Sequence, residues 1–463
     1  MKKTLLSVAV LALLGGVAAT SSTGAPAVRT AAADTVAHPA WSRDAVIYEI
    51  NVRQFTPEGT FAALQPHLPR LRRMGVDILW LMPVQPIGEK NRKGGLGSPY
   101  SIRDYTAINA EYGTEADFKR FVDAAHAQGM KVILDWVANH TAWDHAWITR
   151  HPDWYTRKPN GEISFPLNQD GTETDWTDVA ELNYDSPAMR RAMLGEMGWW
   201  ITEMGIDGFR ADVAWGVPHD FWAQVRTAMR SLKPDVFLLA EAEDPKLHES
   251  FNMTYGWELH HVMNKVARGE APVDTLDQIL AKERAAYPRN AMRMHFTSNH
   301  DENSWQGTEF ERMGANHKAA FVLSGTIEGS MPLLYTGQEV SLNKRLRFFE
   351  KDTVDWRGPS LESFYRSMFE LKTRNPALHN GAWGAPQVRL ATTGAERVYA
   401  FTRTRGSNTV LVAVNFGDAP ARVSYTGLPR AGAYTDWFSK RRMAMPARGS
   451  LEIPAHGYRV LVR

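Results

Sequence analysis

Not one cysteine occurs among the 463 residues. That excludes a disulfide scaffold, thiol chemistry and a lipid-modified cysteine, and leaves the packed core as the source of stability. An excess of charge is lacking too. Lys and Arg number 53 against 51 Asp and Glu, a formal +2 with no basic run, so there is no electrostatic case for nucleic acid. Long apolar stretches are also scarce. The one that stands out, 5–19, is short for a membrane span and follows Lys2 and Lys3; small residues come next, with Ala25-Pro26-Ala27 a cleavage candidate. Residues 1–33 therefore read as a signal peptide and tether. The expectation is a secreted or periplasmic protein with no membrane attachment after signal removal, a retained anchor being the lesser alternative.

What remains has ordinary globular composition, 44% hydrophobic and 22% charged, and is long enough for one large domain plus a small one. Sixteen tryptophans exceed what a core of this size usually needs. Flat aromatic rings suit the C–H faces of sugars, although most will be core.

Buried strands are expected at 45–50, 76–82, 130–137, 205–212, 236–241, 253–257, 292–298 and 331–335. Between them lie helical patterns. In 61–74 the apolar residues share one face and end at Gly75, with Pro66 and Pro69 predicting a kink or late start. Thr114 with Asp117 reads as a capping box opening a helix to about Gly129, and further helices are expected at 187–204, 273–286, 318–324 and 361–374. Strand–helix alternation repeated eight times predicts an α/β fold, a (β/α)8 TIM barrel over 41–380. Residues 138–183 are polar and irregular and read as an insertion after strand 3. Within it Trp154 and Trp176 are expected in a small core, with Trp143 and Trp147 left open between core and ligand contact. Past 380 the pattern alternates at period two, at 397–403, 409–415, 422–426 and 458–462, predicting a C-terminal antiparallel β domain over 381–463 that seals the barrel's flank.

Charge at strand ends points to the chemistry. Asp135, Arg210 with Asp212, Glu241, and His300 with Asp301 close four separate strands. Any one could be a structural ion pair; together they converge on one barrel mouth. Three carboxylates without a Ser–His or Cys–His set suggest glycosidic chemistry, with a carboxylate nucleophile and a protonated acid. Asp212 and Glu241 end adjacent strands. Asp212, kept ionised by Arg210 two residues away on the same face, reads as nucleophile. Glu241, protonated through burial and neighbouring negative charge, reads as acid/base, and Asp301 as a ligand of substrate hydroxyls. Glu243 reads as a solvated loop residue.

These residues resemble the α-amylase family of glycoside hydrolases, family 13, across nearly the whole chain after the leader. Asp135-Trp-Val-Ala-Asn139-His140, Gly208-Phe-Arg210-Ala-Asp212, Ala240-Glu241 and Phe296-Thr-Ser-Asn299-His300-Asp301 look like its four conserved regions in order, and 332–339 is similar to its eighth strand. The resemblance implies retaining cleavage of α-1,4-glucosidic bonds in starch-derived glucans or malto-oligosaccharides. Asp212 would be nucleophile, Glu241 acid/base and Asp301 transition-state stabiliser. His140 and His300 would bind the sugar at the −1 subsite, Tyr100 would stack beneath it, and Arg210 would orient Asp212. Departures are also present. Trp215 and Gly216 stand where many members have Lys-His, Glu181 replaces an Asp beside Asn139 in a calcium-ligand pair, and Ser98 replaces a histidine. No cofactor is required for the chemistry; a structural calcium ion stays open, and no metal ligand is assigned. Val213-Ala214 and 179–183 are similar to the oligosaccharide-processing, neopullulanase-like branch, whose extra N-terminal domain is missing because the barrel begins near Trp41. Two alternatives stay open: an α-glucan transglycosylase with the same carboxylates, and a non-catalytic sugar-binding relative.

Overall fold

The computed structural model describes residues 36–168 and 170–463. The leader expected at 1–33 lies outside the described residues. Eight parallel strands close into a barrel: β1 (Ile47–Ile50), β2 (Ile78–Leu81), β3 (Lys131–Val137), β4 (Gly208–Asp212), β5 (Phe237–Ala240), β6 (Met253–Tyr255), β7 (Met292–His295) and β8 (Ser330–Tyr335). Neighbours follow chain order around the ring, and β8 pairs with β1 through Ile47 and Leu333. Each strand is buried along its length because both faces are covered, one by helices and one by the barrel's own interior.

Alternation along the strands sorts these faces. Ile47, Ile78, Trp80, Ile133, Phe237, Leu239, Met253, Met292 and Met294 fill the interior, while Leu79, Val132, Leu134, Phe209 and Leu238 pack outward under the helices. On β4 this alternation turns Gly208, Arg210 and Asp212 inward. Gly208 has to be glycine, since a Cβ there would lie 1.9 Å from the Phe237 carbonyl oxygen on β5. That close approach draws the two strands together where they start, at the end of the barrel away from the mouth.

Local chemistry shapes the helices as their sequences imply. The 61–74 pattern breaks into Phe61–Leu64, a turn of 3-10 helix at Gln65–His67 and Leu68–Met74, each piece after the first opening with a proline near its start. Thr114 and Asp117 form a reciprocal capping box on Glu115–Ala127. The helices His219–Leu232 and Trp257–Arg268 stand beyond those expected above.

Ahead of the barrel, the Val36 carbonyl accepts from Asn290 at 3.0 Å and that of Ala37 from Arg226 at 3.1 Å, pinning this segment to it. One further expectation needs correction. In the insertion, a short ribbon pairs His140–Ala142 with Val179–Glu181. Trp154 is buried there with Trp147, their rings 5.0 Å apart and edge-on, but Trp176 is only half-buried and faces the cleft described below.

The C-terminal strands form a six-stranded and a three-stranded antiparallel sheet, with Val398, Leu411, Val423, Leu451 and Leu461 in a shared core. Five of its strands (Gln387–Arg389, Ala391–Thr393, Gly432–Asp436, Arg442–Met445 and Arg448–Ile453) were not expected from sequence. The outer face of the larger sheet carries Tyr399, Phe401, Val410 and Val412 into the same hydrophobic cluster as the helix His317–Thr326. Arg403 is fully buried at this seam. It donates to the carbonyls of Thr326 and Ile327, both at 3.0 Å, and of Ala385 at 2.9 Å.

At the opposite end of the barrel from the strand-end carboxylates, Asp207 precedes β4 and is completely buried. His126 lies 2.6 Å from it, Lys131 and Lys233 each 3.1 Å, and the Val132 amide donates at 2.9 Å. Burial raises its pKa, but these partners outweigh burial and hold the carboxyl down at about 2. Because the folded value lies below the unfolded value of about 3.9, its contribution is complete above pH 4 and disappears as pH falls toward 2. Asp207→Asn should therefore lower unfolding free energy by about 2–3 kcal/mol at pH 7, with the gap closing near pH 2. Urea titrations across this range check it, and a gap that does not narrow in acid refutes it.

Candidate active site

The side chains at the C-terminal ends of the strands surround one guanidinium. Arg210 has no exposed surface. It donates to Asp135 on β3 at 2.8 Å, to Asp212 on its own strand at 2.8 Å and to the Tyr255 hydroxyl on β6 at 3.1 Å. Its remaining terminal nitrogen lies 3.1 Å from Glu241, just past β5. Trp80 faces it from β2, ring centroid 5.1 Å from the guanidinium carbon. Four strands thus contribute a carboxylate or an aromatic ring to one buried cation.

Burial pushes the Asp212 carboxyl well up; Arg210 opposes this, and Glu241 and Asp135 reinforce it. Glu241 is raised in the same way, by burial against Arg210, with Asp301 adding to the rise. Asp135 is also raised by burial, against Arg210 and His300. One guanidinium serves three carboxyl groups, and burial pushes all three up against it.

The backbone assists. Val213, immediately after Asp212, adopts φ +45°, a left-handed conformation that a β-branched side chain rarely takes. That turn sends its amide to Glu241 at 2.8 Å. Strain at this one residue aims a donor at the second carboxylate.

Across the mouth, the chain after β7 supplies His300 and Asp301, whose side chains approach to 3.3 Å. His300 Nε2 also lies 2.9 Å from the Tyr100 hydroxyl, which donates to Asp135 at 3.0 Å. Tyr100 lies nearly parallel to Phe348, centroids 6.0 Å apart. His140 is buried, and burial pulls its imidazole down to about 4, so it is neutral at pH 7. All seven residues singled out from sequence thus meet here, and six of them line a cleft of about 660 Å³ while Arg210 lies beneath its floor.

Other wall residues carried no separate signal in sequence. Trp176 comes from the insertion, Trp215 follows β4, Trp305 follows Asp301, and Phe348 and Phe349 come from the loop after β8. Trp215 and Trp305 are 36% and 51% exposed, unusual for side chains of this size. Closeness in sequence to Asp212 and Asp301 could have marked those two; the phenylalanines sit in a loop without periodicity. Glu243 is no solvated bystander: it holds Arg293 at 2.7 Å and accepts from the Glu258 amide.

The pair that resembles calcium ligands is engaged with protein neighbours. The Glu181 carboxylate accepts from Thr156 at 2.7 Å, and Asn139 lies against His140. Among the described residues no three His, Cys, Asp or Glu side chains cluster so as to hold a metal ion. None of the chemistry below runs through a metal.

A closed eight-stranded parallel barrel with carboxylates at its strand ends defines a barrel enzyme with carboxylate chemistry. Comparison with known proteins narrows this. The family model for the α-amylase catalytic domain matches residues 29–385, and that for the α-amylase C-terminal all-β domain matches 392–453. The chain belongs to the α-amylase family. It is 31% identical over 425 residues to Alpha-amylase MalA of Haloarcula japonica, an alignment covering 87% of this chain and 59% of that longer protein. Among solved structures, an α-amylase from Lactobacillus plantarum is 30% identical with TM-score 0.82, covering 91% of this chain and 99% of the other. A maltogenic α-amylase from Thermotoga neapolitana is 27% identical with TM-score 0.81, covering 90% and 98%.

Removing the central cation should strand buried charge. Arg210→Met is expected to destabilise the fold by about 3–5 kcal/mol at pH 7, the usual cost of breaking a buried pair. The stranded carboxylates would hold protons that the unfolded chain releases, so the loss should grow as pH rises and shrink toward pH 4. Denaturant midpoints at pH 4, 7 and 8.5 check it, and a loss independent of pH contradicts the account.

Proposed function

We propose that the enzyme cleaves α-1,4-glucosidic bonds of starch-derived glucans or malto-oligosaccharides with retention, through a covalent glycosyl–enzyme intermediate. The observation that carries this reading is the shared guanidinium, which binds Asp212 and Glu241 through its two terminal nitrogens. Two carboxyl groups held that closely support the short separation of about 5–5.5 Å that nucleophilic displacement needs, against the wider gap that leaves room for water in inverting enzymes.

In the first step the Asp212 carboxylate attacks the anomeric carbon while Glu241 gives its proton to the departing glycosidic oxygen. The leaving chain departs as an alcohol, and sugar and Asp212 are joined as an ester. In the second step Glu241, now ionised, takes a proton from water as that water's oxygen attacks the same carbon and releases Asp212. Arg210 supports the ionised state of Asp212 at its 2.8 Å contact, and the Val213 amide and Arg210 stabilise Glu241 once it has given up its proton. Asp301 faces the forming oxocarbenium charge, with His300 beside it. The neutral His140 imidazole is suited to hydrogen bonds with sugar hydroxyls, and Tyr100 presents a ring to the sugar's apolar face.

Substrate size follows from the walls. Trp176, Trp215 and Trp305 extend the aromatic lining beyond the three carboxylates, which supports a substrate of several sugar units. The charged, then apolar, N-terminal sequence supports export, with substrate met outside the cytoplasm.

The test uses malto-oligosaccharides of defined length, with products resolved over time by chromatography. Shorter products with retained anomeric configuration are expected, and Asp212→Asn should reduce kcat by about 10⁴-fold or more, the scale on which losing a covalent nucleophile acts. Products longer than the starting sugar would move the assignment to transglycosylation. Near-normal turnover by the Asn variant would overturn the nucleophile.

A further inference from the structure

The chemistry above gives no task to a buried carboxylate that touches one of its residues. Glu49 sits on β1, faces the barrel interior and has no exposed surface. A carboxylate so placed costs stability unless a partner compensates for the lost water. One partner is close: Glu49 Oε1 lies 2.5 Å from His300 Nδ1, while Oε2 has no hydrogen-bond partner among the described residues.

The far side of the imidazole fixes its protons. The Tyr100 hydroxyl has one proton and two neighbours, Asp135 Oδ2 at 3.0 Å and His300 Nε2 at 2.9 Å. Asp135 also accepts from Arg210 and Trp80, so Tyr100 donates to the carboxylate and accepts from the histidine. Nε2 then carries a proton, and an ionised Glu49 requires a second one on Nδ1. Only an imidazolium donates from both nitrogens. The bonds run one way, from His300 outward to Glu49 and, through Tyr100, to Asp135, where Arg210 links them to Asp212.

We propose that Glu49 is a positioning residue: by accepting the Nδ1 proton it holds His300 as an imidazolium whose Nε2–H is fixed beside Tyr100 and Asp301, at the reacting sugar. The role of the sugar rests on the glycosidase reading; the state of the imidazole does not. The charged groups around His300 are Glu49 from β1, Asp135 from β3, Arg210 and Asp212 from β4, Glu241 after β5 and the adjoining Asp301, with Tyr335 on β8 a neutral phenol. Burial pulls the imidazole down, Asp301 and Glu49 outweigh it, and Arg210 takes back part of the gain, leaving His300 at about 9. It is therefore charged below that pH and loses its charge above it. Without the Glu49 charge, the loss comes at lower pH.

The experiment follows the ring nitrogens of His300 by ¹⁵N NMR in the unmodified protein, its signal identified by disappearance in His300→Gln, alongside pH profiles of kcat/KM. Both nitrogens should be protonated at pH 7.5. In Glu49→Gln the imidazole should titrate at least one pH unit lower. The alkaline limb of kcat/KM should move with it, giving about a twofold or larger deficit at pH 8, about fivefold or larger at pH 9 and little at pH 5.5, with KM nearly unchanged. Glu49→Asp should recover part of the shift. A neutral imidazole at pH 7 in the unmodified protein, or an unaltered titration in Glu49→Gln, overturns the proposal. Should Glu49→Gln not fold, the signal of the unmodified protein decides alone. An enzyme inert toward glucans but showing the expected titration would sink the glycosidase reading and leave this inference standing.

Discussion

A guanidinium with no access to water, ringed by carboxylates from three strands, is the constraint around which this molecule is arranged. Arg210 must be bound on every side because a bare charge at that depth would cost far more than the fold's net stability. Satisfying it requires Asp135, Asp212, Glu241 and the Tyr255 hydroxyl to arrive from separate strands at the same point. The barrel's register and the reactive geometry are thus the same requirement. Close packing of β4 against β5, permitted by the bare α-carbon of Gly208, belongs to it too.

A second consequence concerns protons. Glu49, Asp135, Asp212 and Glu241 are all raised by burial, and Arg210 and His300 are the cations that oppose the rise. Carboxyl groups here outnumber cations, which favours the protonated form that an acid catalyst needs. The strained amide of Val213 points to the carboxylate that must exchange that proton, not to the one that must stay ionised. Acid and nucleophile differ here through backbone direction as well as through distance to the cation.

Much of this was legible beforehand, for a physical reason. Buried parallel strands are short apolar runs, and charge at their ends has few explanations, so the positions of Asp135, Arg210, Asp212, Glu241, His300 and Asp301 stood out. Glu49 did not, because a single acid inside a strand of apolar residues carries no pattern of its own; its meaning appears only when β1 closes on β8 and His300 arrives from β7. Trp176 was read as core because burial of a tryptophan in an irregular segment cannot be judged without the ribbon that carries it. The C-terminal domain shows the same limit. Its long central strands alternate cleanly, whereas Gln387–Arg389 and Arg442–Met445 are short and largely exposed edges, with too few residues to show a period of their own. The helix His219–Leu232 was a different omission, since Phe221, Trp222, Val225 and Met229 already mark a buried face.

The seam at Arg403 bears on modularity. A boundary near residue 380 invites treating the β sandwich as a detachable appendage. Yet two carbonyl groups, of Thr326 at the end of a barrel helix and of Ile327 just after it, depend on a cation that arrives only with the sandwich. Severing the chain there would uncover the aromatic face of Tyr399 and Phe401 and leave those carbonyls to find water in a crevice shaped for an arginine. The barrel is closed as a sheet but unfinished as a domain, so any graft or truncation has to carry this joint intact.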